Sequence, residues 1–151
     1  IFSFGAFVHL TDLQQVRSAL AGCWNALRPG GSLIVESSYH PWFLDACKGL
    51  RKSYDDFTWN TRGSCNNKKR TVFLEYDFTF KDGKQLKVPM RLRSHAPDEL
   101  ESAIRGAGFQ QLQTYDADIR RVQTVNGIIN QVQLDRVTAS THSIIYGARK
   151  P

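Results

Sequence analysis

The stretch from Thr11 to Glu36 constrains this chain more than any other. Leu13, Val16, Leu20, Cys23 or Trp24, and Leu27 recur at three- and four-residue steps, which marks one buried face of a helix. Thr11 and Gln14 stand at capping-box spacing at its start, where a hydroxyl and an amide satisfy orphan N–H groups reciprocally. Pro29 and the Gly30-Gly31 pair stop the helix and turn the chain sharply. Ser32 to Glu36 then reads S-L-I-V-E, a short apolar run that predicts a strand buried on both faces. Helix, tight turn and buried strand in this order predict an α/β protein with a parallel sheet.

Periodicity fades from Ser37 to Lys69. Tyr39, Trp42, Phe43, Tyr54, Phe57 and Trp59 mix there with charges and with Gly63-Ser64 and Asn66-Asn67 breaks. More than thirty residues without a clear element suggest a functional lid, with some helix around Pro41 to Leu50. A hairpin follows. Val72, Leu74, Tyr76, Phe78 and Phe80 alternate with polar residues, as do Leu86, Val88, Met90 and Leu92 beyond Asp82-Gly83. A two-residue Asp-Gly loop would set Phe78 opposite Lys87 and place the two apolar rows on different faces. A three-residue loop, Lys81-Asp82-Gly83, pairs Phe78 with Leu86, Tyr76 with Val88 and Asp77 with Lys87, so the register favours it. A second helix is predicted from Pro97 through Leu100 and Ile104 to a C′ glycine, Gly108. Strands follow at Phe109 to Tyr115 and at His142 to Ala148, while 116–141 shows no assignable pattern.

With 151 residues the chain fits one domain that can bury a substantial core. No run approaches the ~20 apolar residues of a membrane span. Cys23, Cys47 and Cys65 are an odd number at wide spacings with no metal-ligand pattern, so free thiols in a reducing, cytoplasmic setting are expected, and no metal. The net charge of +6 is local: between Trp42 and Arg70 seven basic residues face three acidic ones. The apolar start, Ile1 to Leu10, reads as the end of a buried strand, and without an initiator Met the chain is expected to be cut from something longer.

The order of these segments resembles a known family. F-V-H-L-T-D-L, a helix, and L-R-P-G-G-S-L-I-V-E are similar to the fourth strand's exit, fourth helix and fifth strand of class I S-adenosylmethionine-dependent methyltransferases. R-L-R-S-H-A-P-D-E-L-E-S-A-I-R-G-A-G-F resembles the helix that leads to that family's sixth strand. The ending S-I-I-Y-G-A-R-K-P is similar to its seventh, which inserts antiparallel between the fifth and sixth. The resemblance implies a Rossmann-like α/β sheet comprising strands four to seven, with a hairpin and lid over 37–93 inserted on the substrate side. It implies S-adenosylmethionine as cofactor and a small-molecule methyl acceptor. The family's glycine-rich loop and the acidic residue that holds the ribose have no counterpart here, so the chain is expected to be the C-terminal portion of the domain and to bind cofactor weakly by itself.

Methyl transfer from a sulfonium asks the protein mainly to align the nucleophile, exclude water and sometimes take a proton. In open α/β sheets ligands sit beyond the C-terminal strand ends, here at Ser3 to Ala6 after the first partial strand and at Glu36 to His40 after the next. The resemblance therefore points to Ser3, Phe4, Gly5 and Ala6 at the methionine part of the cofactor. His9, His40 and His95 each follow an element expected to end near the cleft, and an imidazole titrates near neutrality. His40 is the candidate base, while His9 and His95, with Tyr39, Trp42 and Trp59, are candidates for holding the acceptor. The aromatics Trp42, Tyr54, Phe57 and Trp59 wall a substrate pocket or form a satellite core under the lid. Two other functions fit the composition: a non-catalytic methyltransferase-like interaction module, and, less well, a basic nucleic-acid-binding domain, for which no RNA-recognition motif is present.

Overall fold

Asp12, rather than Thr11, caps the first helix. In this computed structural model, which describes residues 2–3, 6–38, 47–116, 123–125, 128–131 and 143–151, helix α1 spans Leu13–Ala26. Asp12 Oδ1 accepts the Gln15 N–H at 2.8 Å, and Gln15 Oε1 accepts the Thr11 N–H at 2.8 Å. The reciprocal arrangement expected of Thr11 and Gln14 thus sits one residue later, where a carboxylate is the stronger N-cap acceptor. At the other end Lys150 Nζ donates to the carbonyls of Trp24 and Leu27, at 2.8 and 2.9 Å, and lies 4.8 Å from the centre of the Trp24 ring. A cation there satisfies orphan carbonyls and complements the helix dipole.

The described strands are β1 (Phe2–Ser3), β2 (Ser32–Ser38), β3 (Arg51–Ser53), β4 (Phe57–Asn66), β5 (Thr71–Phe80), β6 (Gln85–Arg93), β7 (Gln110–Asp116), β8 (Gln123–Val125), β9 (Ile128–Gln131) and β10 (Ser143–Arg149). A single 3-10 turn, Ala6–His9, precedes α1, and helix α2 spans Pro97–Gly106. The first sheet runs β1-β2-β10-β7. β1 and β2 are parallel, and β10 lies antiparallel between β2 and β7. That insertion is the one implied by the resemblance.

Leu33 and Val35 of β2, with Ile144, Tyr146 and Ala148 of β10, meet Val16 and Leu20 of α1 and Leu100 and Ile104 of α2 in one core. Both helices lie on the same side of the sheet. β2 is therefore not buried on both faces as expected: Ile34, pointing the other way, is 38% exposed. α2 starts on Pro97, and Glu99 accepts the Ala96 N–H at 3.0 Å while pairing with Arg93 at 2.9 Å. Gly108 follows at φ 98°, and a Cβ there would come within 3.1 Å of Trp24, which packs edge-on against Phe109.

The region expected to lack regular structure is largely strand. β3, β4, β5 and β6 form an antiparallel meander, of which only the β5–β6 hairpin is legible in the sequence. Residues 47–50 are not helical, and the rest of the predicted helix, 41–46, lies outside the described residues. Strand β4 escapes the alternation rule because its inward row is Trp59, Thr61, Gly63 and Cys65, too weakly apolar to contrast with its outward row. β8 and β9 form a short hairpin in the stretch that shows no sequence pattern.

Cys47 and Cys65 are joined by a disulfide, with Cα atoms 6.4 Å apart, and Cys23 alone is free. The expectation of three free thiols is wrong because spacing of 18 residues says nothing of strands that fold back on each other. The pairing removes the ground on which the cysteine pattern points to a reducing compartment. Among the described residues no helix is long and apolar enough to cross a membrane.

The hairpin forms as the register argument requires: Phe78 faces Leu86, Tyr76 faces Val88, and Asp77 faces Lys87. The Gly83 N–H reaches Phe80 O at 3.0 Å, and Gly83 adopts φ 84°. Gly83→Val is expected to destabilise by about 1–3 kcal/mol from backbone strain, Gly83→Asn by less. Equal melting temperatures for wild type and Gly83→Val would refute this. Cys65→Ser is expected to cost about 3 kcal/mol through the freed loop. Melting that is indifferent to reductant would show that the link contributes nothing.

Candidate functional site

The C-terminal ends of β1 and β2 point the same way, and the second sheet is fastened beside them. Ser94, just past β6, donates through Oγ to Ser38 O at 3.2 Å and through its N–H to Arg70 O at 2.9 Å. His95 Nε2 donates to Leu10 O at 2.8 Å. Val8, in the 3-10 turn after β1, packs against Val72, Leu74 and Leu92 of the meander. These contacts hold one face of the second sheet at the strand ends of the first.

That face is apolar and aromatic. Strand register places Phe57, Trp59, Tyr76, Phe78, Phe80, Leu86 and Val88 on it. Trp59 and Tyr76 have ring centres 5.6 Å apart, Tyr76 and Phe78 6.3 Å, and Tyr54 stacks on Phe57 at 4.9 Å. The opposite face is charged. There Arg62 pairs with Asp77 and Glu75, and Lys87 reaches the same two carboxylates. The Arg62 guanidinium, which donates a hydrogen bond to Asp77, holds that carboxyl below its ordinary range. The meander separates charge on one side from rings on the other, and the ringed side is the one joined to the strand ends.

The candidate residues divide between these places. Ser3 closes β1, its backbone opposite Val35. Ala6 and His9 open and close the 3-10 turn, both exposed. Trp59 is half-buried within the aromatic row. His95 is 2% exposed and spends Nε2 on Leu10, which makes it a tie between the two sheets, while its Nδ1 is enclosed without a partner. Phe4, Gly5, Tyr39, His40, Trp42 and His142 lie outside the described residues.

One residue at the strand ends is legible in the sequence only as the start of the cleft wall, with no role of its own. Glu36 is 4% exposed, and its Oε2 is enclosed without a hydrogen-bond partner. Its signal in the sequence is a lone acid closing an otherwise apolar strand. Elsewhere, a groove of about 590 Å³ runs between α1 and α2, lined by Leu13, Arg17, Asp98 and Ser102. Its walls are helix surfaces open to water, and no enclosed polar atom faces an absent partner among its lining residues. Among the described residues no three His, Cys, Asp or Glu side chains gather as they would around a metal ion.

Burial holds the His95 pKa below its ordinary 6.5, against the opposing pull of the Leu10 carbonyl. The unfolded chain therefore takes up this proton at a higher pH than the folded one. The stability that neutral His95 contributes is complete above pH 6.5 and is lost as pH falls through the lowered folded value. Wild type is expected to lose melting temperature from about pH 7 to about pH 5 more steeply than His95→Gln. Parallel curves would show that the proton is taken up elsewhere.

No family model matches the chain, and no curated protein does. Solved structures do. An S-adenosylmethionine-dependent methyltransferase from Clostridium acetobutylicum superimposes with a TM-score of 0.76 at 14% identity, covering 97% of this chain and 55% of that one. The CcbJ methyltransferase from Streptomyces caelestis gives 0.72 at 17% identity, over 99% of this chain and 59% of that one. CalS10, an amino pentose methyltransferase from Micromonospora echinaspora, gives 0.63 at 15% identity, over 98% and 56%. This chain spans little more than half of each. β1 and β2 in parallel, β10 inserted antiparallel and the meander set between β2 and α2 are accordingly the fold of the class I S-adenosylmethionine-dependent methyltransferases.

Proposed function

We propose that this chain forms the C-terminal portion of a methyltransferase domain that transfers a methyl group from S-adenosylmethionine to N or O of a small molecule, with 37–93 as its substrate-side insertion. The observation that carries this reading is the placement of the aromatic face of the meander at the C-terminal ends of β1 and β2. An apolar wall at that position excludes water and offers large rigid surface to an acceptor.

The cofactor, when bound, supplies a methyl group activated by a sulfonium. Ser3, Phe4, Gly5 and Ala6 would hold its methionine part, where the backbone leaves β1. The enclosed, unpartnered oxygen of Glu36 fits a polar or cationic ligand at this spot. His40 would take the acceptor's proton. Tyr39, Trp42 and Trp59 would hold the acceptor, with His9 at the rim and His95 beneath. In this reading the basic excess of the insertion stays at its surface, where Lys48, Arg51, Lys52, Arg62, Lys68 and Lys69 are exposed and Arg62 pairs with Glu75 and Asp77.

The test uses the whole gene product, isotope-labelled S-adenosylmethionine and a panel of small amines and alcohols. Transfer of label is expected. Trp59→Ala is expected to raise the acceptor KM roughly ten-fold, the worth of one aromatic contact, and to leave cofactor affinity in place. His40→Ala is expected to lower kcat instead. Absence of both label transfer and cofactor binding in the whole gene product would sink this reading.

A further inference from the structure

The inward row of β4 is weakly apolar because it holds another piece of the chain. Residues 47–50, which lead into β3, lie along it as a strap, and three successive positions of the row receive it. Thr61 exchanges two hydrogen bonds with Leu50: its Oγ1 accepts the Leu50 N–H at 2.8 Å, and its own N–H donates to Leu50 O at 2.8 Å. Gly63 leaves the space that the strap occupies, since a Cβ there would stand 3.4 Å from Cys47 Cα and 2.6 Å from Leu74 Cδ2. Cys65 takes the disulfide to Cys47. A hydroxyl, a missing side chain and a sulfur thus fasten one short segment to the face that carries the rings.

The sulfur end of the strap is the end that bears on the site. Cys47 packs on the cluster of Val8, Val72, Leu74 and Leu92 through which the two sheets meet, and Tyr76 packs on the same cluster. The Tyr76 ring in turn lies 5.6 Å from that of Trp59. The meander does not depend on the bond. β4 pairs with β5 from Phe57 opposite Phe80 to Asn66 opposite Thr71, and β5 pairs with β6 from Thr71 opposite Arg93 to Thr79 opposite Gln85. Breaking the disulfide therefore frees the strap and leaves the sheet. The bond is also within reach of solutes: Cys65 is exposed while Cys47 is partly buried, and exposed disulfides are the labile ones.

We propose that the Cys47–Cys65 bond is a thiol-sensitive fastening of the acceptor wall. Formed, it holds the strap on β4 and the ringed face against the strand ends; reduced, it releases the strap and weakens acceptor binding. The thiolate of a small thiol attacks Cys65 Sγ, and Cys47 Sγ departs and takes up a proton. A second thiol displaces the first, so two thiols become one small disulfide and the protein gains two S–H groups. The strap is then fixed by the Leu50–Thr61 pair, two neutral hydrogen bonds of modest net worth. The effect on the acceptor rests on the methyl-transfer reading of the site; release of the strap does not.

The whole gene product, oxidised or treated with dithiothreitol and desalted, tests this through amide hydrogen exchange and label transfer to the panel of amines and alcohols. Reduction is expected to speed exchange at the Leu50 and Thr61 amides roughly ten-fold or more and to leave the β5 amides within about two-fold. The acceptor KM is expected to rise about five- to ten-fold, with affinity for S-adenosylhomocysteine within about two-fold. Reoxidation by glutathione disulfide is expected to restore the oxidised values. The variant carrying Cys47→Ala and Cys65→Ser is expected to show the raised KM with or without dithiothreitol. Exchange at Leu50 and Thr61 that ignores reduction would overturn the inference. So would faster exchange throughout the meander, a freed strap with an unchanged KM, or thiol dependence that persists in the double variant, each of which leaves methyl transfer standing. Absence of label transfer in both states would end the methyl-transfer reading and the acceptor effect with it, while the exchange result still decides the strap.

Discussion

Strand β10 is the contact through which the first sheet becomes continuous. β2 and β7 share no hydrogen bonds; each is paired along its length with β10, which brings Ile144, Tyr146 and Ala148 into the core beneath them. Tyr146 is 1% exposed and is the largest side chain in that core to be so completely enclosed. The placement of α1 over β2 and of α2 leading into β7 has meaning only once this strand lies between them. A Rossmann-like sheet built of parallel strands alone would not need such a wedge. Here the antiparallel insertion lets the helical layer and the strand ends be fixed by one element.

The second sheet depends on the first through a small set of polar contacts and one apolar one. Ser94 to Ser38, His95 to Leu10, and Val8 against the Val72–Leu74–Leu92 cluster set its position. Strand alternation then decides which face is turned toward the site: the row of rings through Trp59, Tyr76 and Phe78 rather than the row of ion pairs through Arg62, Asp77 and Lys87. A register slip of one residue would exchange the two faces, so the three-residue turn at Gly83 bears on ligand contact as much as on the hairpin.

Much of the first sheet is legible in the sequence because its signals are local: a helical stripe, a Pro-Gly-Gly turn, a C′ glycine and apolar runs. The caps differ by one residue, as competing acceptors Thr11 and Asp12 stand side by side. What the sequence hides is set by distant pairing. β4 has no strong alternation until β5 lies against it, and Cys47 meets Cys65 only when the meander folds. Ile34 looks like a core residue in an apolar run, yet both helices pack on the other face. Of the site, the strand ends and Trp59 are legible as candidates, and His95 is legible as a residue of the junction though not as its tie. Glu36 is legible as the start of the cleft wall, but an acid at the end of a strand ordinarily marks the return to solvent, and its enclosure appears only in three dimensions.

Lys150 closes α1 from 126 positions away. Helix ends are usually finished by the residues beside them, which lets a helix be tested early and locally during folding. Here two carbonyls of the last turn of α1 are left to water until strand β10 has taken its place and delivered the ammonium. The first helix and the last strand are thereby joined in one high-contact-order event, and sequence change at either end of the chain is felt at the other.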